Sequence, residues 1–276
     1  MPGELLLSSE LPELVKVVNR KGLLLEDKAV KVLEGVHGTV SLNRGQVYSD
    51  EDGSRVEVDI ISHVSNMLGH YTFIIECKRT AYTWLFPIVA ERPAHLYIAH
   101  IKKDWAPLVH TTGSSIRGTY SDVVIEINEQ KRLSKSRGQV NVSYKEVNEN
   151  VRQVLKELRC VLIDVLKKKF VQGIFVPIIV TNAKLGVIDY SKAGLNSVGE
   201  LTEIAPITEV PYIAYDFPEI MDVGGKPLAL PQQARVGAHL KTVFVVNIEH
   251  LAEFIDKIQD ELDGKIPNLK LGYTWP

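Results

Sequence analysis

The chain has 276 residues, of which 45% are hydrophobic and 24% charged, and its formal net charge is −2. This balance excludes a disordered, collagenous or coiled-coil protein, and it gives no global attraction to nucleic acid, so a polyanionic partner would need a local basic patch or metal ions. The apolar runs, such as 174–180 and 243–246, fall far short of the ~20 residues of a membrane-spanning helix, so no membrane association is expected.

At the N-terminus, Glu4 precedes a short apolar stretch, Leu5–Leu7, and Ser8, Ser9 and Glu10 follow, so no secretory signal is recognised and a cytoplasmic location is expected. The two cysteines, Cys77 and Cys160, each lie in an apolar-periodic segment, which reads as two core thiols rather than a disulfide or a metal site. Residues 1–20 read as an N-terminal helical segment with apolar periodicity from Leu11 to Asn19, broken at Lys21-Gly22. A second helix is expected from about Leu24 to Glu34, stopped by Gly35. On it, Asp27, Lys31 and Glu34 share a polar face, with Asp27 and Lys31 at ion-pair spacing. Glu26 recurs instead with Val30 and Leu33, on or beside the packed face, where a carboxylate needs a reason.

Three strands follow, Gly38 to Tyr48, Arg55 to Val64 and Tyr71 to Arg79, joined by turn-rich segments as an antiparallel meander. The aromatic and proline-bearing segment from Tyr82 to Lys103 has no clear assignment. Ser121 to Asn128 reads as a short strand. From Lys145 to Lys169, apolar residues recur at helical period over about seven turns. Buried strands are then expected at Ile174 to Thr181 and Gly186 to Tyr190, an irregular excursion between Thr208 and Gly237, a strand at Lys241 to Asn247, and a final amphipathic helix from Glu249 to Leu262. The order defines a mixed α/β fold, divided here into a core over 21–190 and a C-terminal α/β extension over 191–276 packed on the same domain.

The chemistry concentrates in two strands. Period-two alternation places Val56, Val58 and Ile60 on one face and Glu57, Asp59 and Ile61 on the other, and it places Glu76 and Lys78 together on the next strand. Sixteen residues separate Asp59 from Glu76, enough for a strand end, a turn and the start of an antiparallel neighbour, so the two carboxylates meet. Charges beside so apolar a run are costly unless they are paired or bound to metal. Two converging carboxylates offer hard oxygen ligands to Mg²⁺ or Mn²⁺, and a nearby lysine orients water or balances charge on a phosphate.

Asp59 followed by Glu76-Cys77-Lys78 resembles the signature of the PD-(D/E)XK nuclease superfamily, the restriction-endonuclease-like fold. Gly22-Leu23-Leu24-Leu25-Glu26 is similar to the glutamate-bearing helix that precedes the meander in many members. The order of elements from about Lys21 to Tyr190 is similar to the common core, a mixed central sheet flanked by helices. Val58 stands where the motif's name has proline. The resemblance implies a Mg²⁺-dependent nuclease in which Asp59 and Glu76 bind the metal, Lys78 assists the attacking water and Glu26 supports the metal or its water. The implied partner is nucleic acid, DNA first, with a twofold homodimer if both strands of a duplex are cut. The rival is a non-catalytic nucleic-acid- or protein-binding module on the same fold.

Two basic groups are candidate contacts to a phosphate backbone. Arg152, Lys156 and Arg159 form a stripe on the long helix, better read as a solvated face, and Lys131, Arg132, Lys135 and Arg137 form a basic loop beside Gly138. Tyr82, Trp84 and Phe86 share one strand face and read as a buried aromatic cluster in preference to a base-stacking platform. The eight histidines show no zinc spacing, and Gly224-Gly225-Lys226 lacks a phosphate-loop context.

Overall fold

The structure, a computed structural model, describes residues 23–49, 53–66, 69–80, 82–88, 92–100, 108–120, 124–128, 145–167, 173–192, 194–198, 201–203, 207–216 and 242–263. Helix α1 spans Leu23–Glu34 and is followed by the strands β1 (Thr39–Ser49), β2 (Arg55–Asn66), β3 (Gly69–Lys78), β4 (Tyr82–Ile88), β5 (Arg92–His100), β6 (Leu108–Tyr120) and β7 (Ile125–Asn128). Then come α2 (Lys145–Lys167), β8 (Gly173–Thr181), β9 (Leu185–Asp189), a short ribbon of β10 (Gly194–Leu195) with β11 (Leu201–Glu203), and β12 (Ile207–Val210). The strands β13 (Tyr212–Asp216) and β14 (Thr242–Asn247) lead through a 3₁₀ turn, Ile248–His250, into α3 (Leu251–Asp263). No helix among the described residues is long and apolar enough to cross a membrane.

The helices expected over 24–34, 145–169 and 249–262 and the β1–β2–β3 meander form within one or two residues of the expected bounds, with Ile61 opposite Asn43 on one side and Ile74 on the other. Helix α1 forms because Leu25, Ala29 and Leu33 recur every four residues and are all buried. At its end, the Thr39 hydroxyl donates to the carbonyls of Leu33 and Val36 at 3.0 Å, satisfying groups the helix leaves open. Gly38 turns the chain into β1 at φ +85°, and a Cβ there would meet the Ser65 carbonyl oxygen at 2.7 Å.

The central sheet has eight strands in the order β1-β2-β3-β8-β14-β13-β6-β5, with β5 also pairing the first residues of β8. The strands β3, β8 and β14 run parallel, so their carboxyl ends lie together. A second sheet has the order β12-β9-β4-β7. One face of the central sheet, with Phe73, Ile75, Val176, Ile178 and Phe244, packs on α1 and α3. The other, with Ile74, Ile179, Tyr215 and Val245, packs with α2 and with Trp84 and Phe86 of the second sheet. Burial on both faces explains the unbroken apolar runs of β8 and β14.

Two expectations change, and one unassigned segment gains its structure. The segment beyond Tyr82 contains two strands, β4 and β5, on different sheets. The supposed irregular excursion after Thr208 begins with two strands, β12 and β13, and β13 inserts between β14 and β6. Residues assigned to a C-terminal extension therefore supply two strands of the central sheet and the core helix α3, whose Phe254, Ile255 and Ile258 are fully buried. The N-terminal helical segment and the glycine-lysine run near 225 lie outside the described residues.

The hairpin of β2 and β3 carries a pH-dependent element. His63 is half-buried with its Nδ1 3.0 Å from the Thr72 hydroxyl, and burial pushes its pKa below the usual value, as it does for His70. The unfolded chain then takes up protons that the folded chain refuses, so this contribution is complete above about pH 6.5 and lost as pH falls below it. The denaturation midpoint is expected to fall between pH 7 and 5, and His63→Gln to flatten that slope in urea titrations. An unchanged slope in the variant would assign the acid sensitivity elsewhere.

Candidate active site

Strands β2 and β3 pair from Asn66↔Gly69 up to Ile60↔Ile75, and there the ladder ends. Beyond it, β2 continues on β1, with Val58 opposite Gln46, while β3 continues on β8, with Glu76 opposite Ile179 and Lys78 opposite Thr181. A fork opens between them, with Asp59 on one arm and Glu76 on the other. Asp59 spans it: its Oδ2 accepts the backbone N–H of Cys77 at 2.8 Å, replacing a ladder bond with a side chain. The regular alternation expected through Val56, Val58 and Ile60 breaks at this point, since Val58 packs on the α2 side and Ile60 on the α1 side.

Glu76 and Lys78 share one face of β3, as period two requires, and Lys78 Nζ lies 2.5 Å from Glu76 Oε1. Glu76 is buried, at 1% exposure. Burial first, and the charge of Asp59 second, raise its pKa, against the opposing effect of Lys78. For Lys78, burial alone would lower the pKa, but the bond to Glu76 and the surrounding carboxylates raise it, so the ammonium is retained. Cys77 points to the α1 side, and its thiol is buried and pushed far up by burial and by Asp59, so it is not a nucleophile.

Glu26 comes from the first turn of α1, half-buried, and its pKa is raised by burial and then by Asp59, with Arg44 opposing. It therefore stands in the electrostatic neighbourhood of Asp59. Asp27 does not pair within its helix: it takes Arg44 of β1 at 2.6 Å, while Lys28 bonds Glu249 beside α3.

A fourth acidic residue, Glu157 of α2, is absent from the sequence-based site. It is fully buried, and burial first, then the charge of neighbouring Glu76, raise its pKa strongly. Gln153 lies beside Glu157 and favours its charged form, but no donor meets either Glu157 oxygen, or Glu76 Oε2, at hydrogen-bonding geometry among the described residues. A signal existed: Glu157 recurs with Val154, Leu158 and Val161 on the apolar stripe, by the same criterion that singled out Glu26.

The donor set suits a small hard cation. The oxygens are carboxylate, three of them are buried without donors, and a bound cation would answer that deficit. Among the described residues, no three acidic, histidine or cysteine side chains form a ready-made cage. One or two carboxylates completed by water and substrate phosphate is nevertheless the usual Mg²⁺ arrangement. The fork also lies at the carboxyl ends of parallel strands, where open α/β sheets place their ligand crevices.

The basic candidates separate. Arg152 is exposed, Lys156 is half-buried with Nζ 3.4 Å from Ser54 Oγ, and Arg159 is buried at 4% exposure, so the three do not form the solvated stripe expected. Lys131, Arg132, Lys135 and Arg137 lie outside the described residues. Trp84 and Phe86 are fully buried in the core, which removes them as stacking surfaces, and both free cysteines are buried as expected. No family model, no curated protein and no solved structure matches the chain.

Proposed function

We propose that the chain is a Mg²⁺-dependent phosphodiesterase acting on nucleic acid, with a restriction-endonuclease-like core. The observation that carries this reading is the fork itself: Asp59 and Glu76 flank the end of one ladder, and Lys78 is bonded to Glu76 on the same face. An acidic residue on one strand and a Glu-x-Lys on its antiparallel neighbour, lying on either side of the ladder's end, support the resemblance to that motif. The mixed α/β architecture, with helices on both faces of the sheet, is compatible with that core.

In this reading Asp59 and Glu76 hold Mg²⁺, which when bound polarises the scissile phosphate and lowers the pKa of a bound water. Lys78 keeps its ammonium charge beside Glu76, where it orients the attacking water and offsets charge developing on the phosphate. Glu26 adds negative potential beside Asp59 and supports the metal or its water. A net charge of −2 leaves substrate attraction to the cation and to local basic residues.

The test is incubation of the purified chain with plasmid, linear single-stranded DNA and RNA, with Mg²⁺ or Mn²⁺ against EDTA. Cutting that requires metal is the expected result, and the substrate cut identifies the nucleic acid. Binding without cutting, unaffected by EDTA, would favour a non-catalytic module on the same scaffold.

A further inference from the structure

We propose that Glu157 is a third carboxylate of the cation site, so that the site is assembled from α2 as well as from β2 and β3. The inference rests on the metal-dependent reading above and extends its ligand set. Glu157 has no exposed surface, and it interrupts an apolar stripe that Val154, Leu158 and Val161 would otherwise complete. A leucine there would fill the same space without desolvating a carboxyl group, so a core role alone gives no reason for the acid.

Its surroundings supply one. Both Glu157 oxygens and Glu76 Oε2 are buried with no donor at hydrogen-bonding geometry among the described residues. The charged and polar groups that face Glu157 are Glu76 and Lys78 from β3, Asp59 from β2 and Gln153 from its own helix. The one cation in that group, Lys78, bonds Glu76 through Oε1 and leaves Oε2 without a donor among the described residues. Without a cation, burial keeps Glu157 protonated and the three carboxyl groups form no ready-made cage; a divalent cation would displace that proton and bring the compensating charge that lets all three ionise in a dry place.

A buried acid that served only as a neutral hydrogen-bonding group would be replaced without loss by an amide of the same shape, whereas a metal ligand would not. Mn²⁺ binding to the full-length chain, without nucleic acid, is measured by the loss of the free-ion electron paramagnetic resonance signal, for wild type, Glu157→Gln and Glu157→Asp. Glu157→Gln is expected to weaken Mn²⁺ binding at least tenfold while its thermal midpoint in EDTA is no lower than that of wild type. Glu157→Asp keeps the charge and is expected to bind between the two. Wild-type affinity in the Gln variant overturns the inference and leaves the phosphodiesterase reading intact, and no Mn²⁺ binding by wild type overturns both. If the Gln variant does not fold, the Asp variant decides alone: wild-type affinity there, despite a carboxylate retracted by one methylene, overturns the inference.

Discussion

Lys78→Ala is expected to lower metal-dependent cleavage by about 10²–10⁴-fold, the range over which a positioned proton-transfer or charge-stabilising group acts. The loss is expected in turnover and not in metal affinity. Lys78 Nζ lies 2.5 Å from Glu76 Oε1, so the ammonium competes with any cation for that oxygen, and its removal frees a ligand. Mn²⁺ affinity should therefore be equal to or higher than that of wild type. Stability should fall by about 1–3 kcal/mol, because a buried acceptor loses its donor. The loss stays modest, since Lys78 is 29% exposed in its side chain and Glu76 can take a proton from its neighbourhood instead. Lys78→Met, which keeps the apolar stem, separates packing from charge and should be as inactive as alanine. Cleavage at the wild-type rate in either variant would remove Lys78 from the chemistry and the nuclease reading with it.

Much of this site was legible because strands obey period two. Glu76 and Lys78 two residues apart had to share a face, and a sixteen-residue separation ending in an antiparallel turn had to bring Asp59 alongside. What failed was the assumption that the period runs without interruption. Asp59 takes the Cys77 N–H with its side chain, the ladder stops, and Val58 and Ile60 go to different cores. Side-chain capture of a backbone donor depends on where two strands diverge, which local pattern does not encode.

Glu26 stands out because it recurs with apolar residues of a short helix, whereas Glu157, which satisfies the same rule among Val154, Leu158 and Val161, is masked by the strong apolar period of α2. The burial of Arg159 has a related cause. The stretch from Glu157 to Leu162 is buried throughout, because α2 packs with both the central sheet and the residues of the second sheet, and a helix covered on more than one side has no single solvated stripe. Strands near β7 and β9 were legible, but not the second sheet they form with β4 and β12, since its pairings join segments up to about a hundred residues apart. The same holds for β13, whose five residues read as part of a Pro- and Gly-rich excursion until β14 and β6 pair with them.

Asp59→Asn and Asp59→Ala are expected to be equally inactive and unequally stable, and the difference separates the two tasks of this side chain. As an acceptor, Asp59 Oδ2 holds the Cys77 N–H at 2.8 Å where the ladder ends, and asparagine offers a carbonyl oxygen of the same reach. As a charge, Asp59 is one of the carboxylates that would hold the cation, and asparagine gives that up. Removing the charge should also relax Glu26 and Glu76, whose pKa values Asp59 helps to raise, so the Asn variant should unfold at or slightly above the wild-type urea midpoint in EDTA. Alanine leaves the part-buried Cys77 N–H without an acceptor at the fork and is expected to cost about 1–2 kcal/mol. Both variants should lose Mn²⁺ binding and cleavage together. If Asp59→Asn retained full activity on a substrate that wild type cuts, the charge at the fork would be dispensable, and the cation would have to be sought among Glu76 and Glu157 alone.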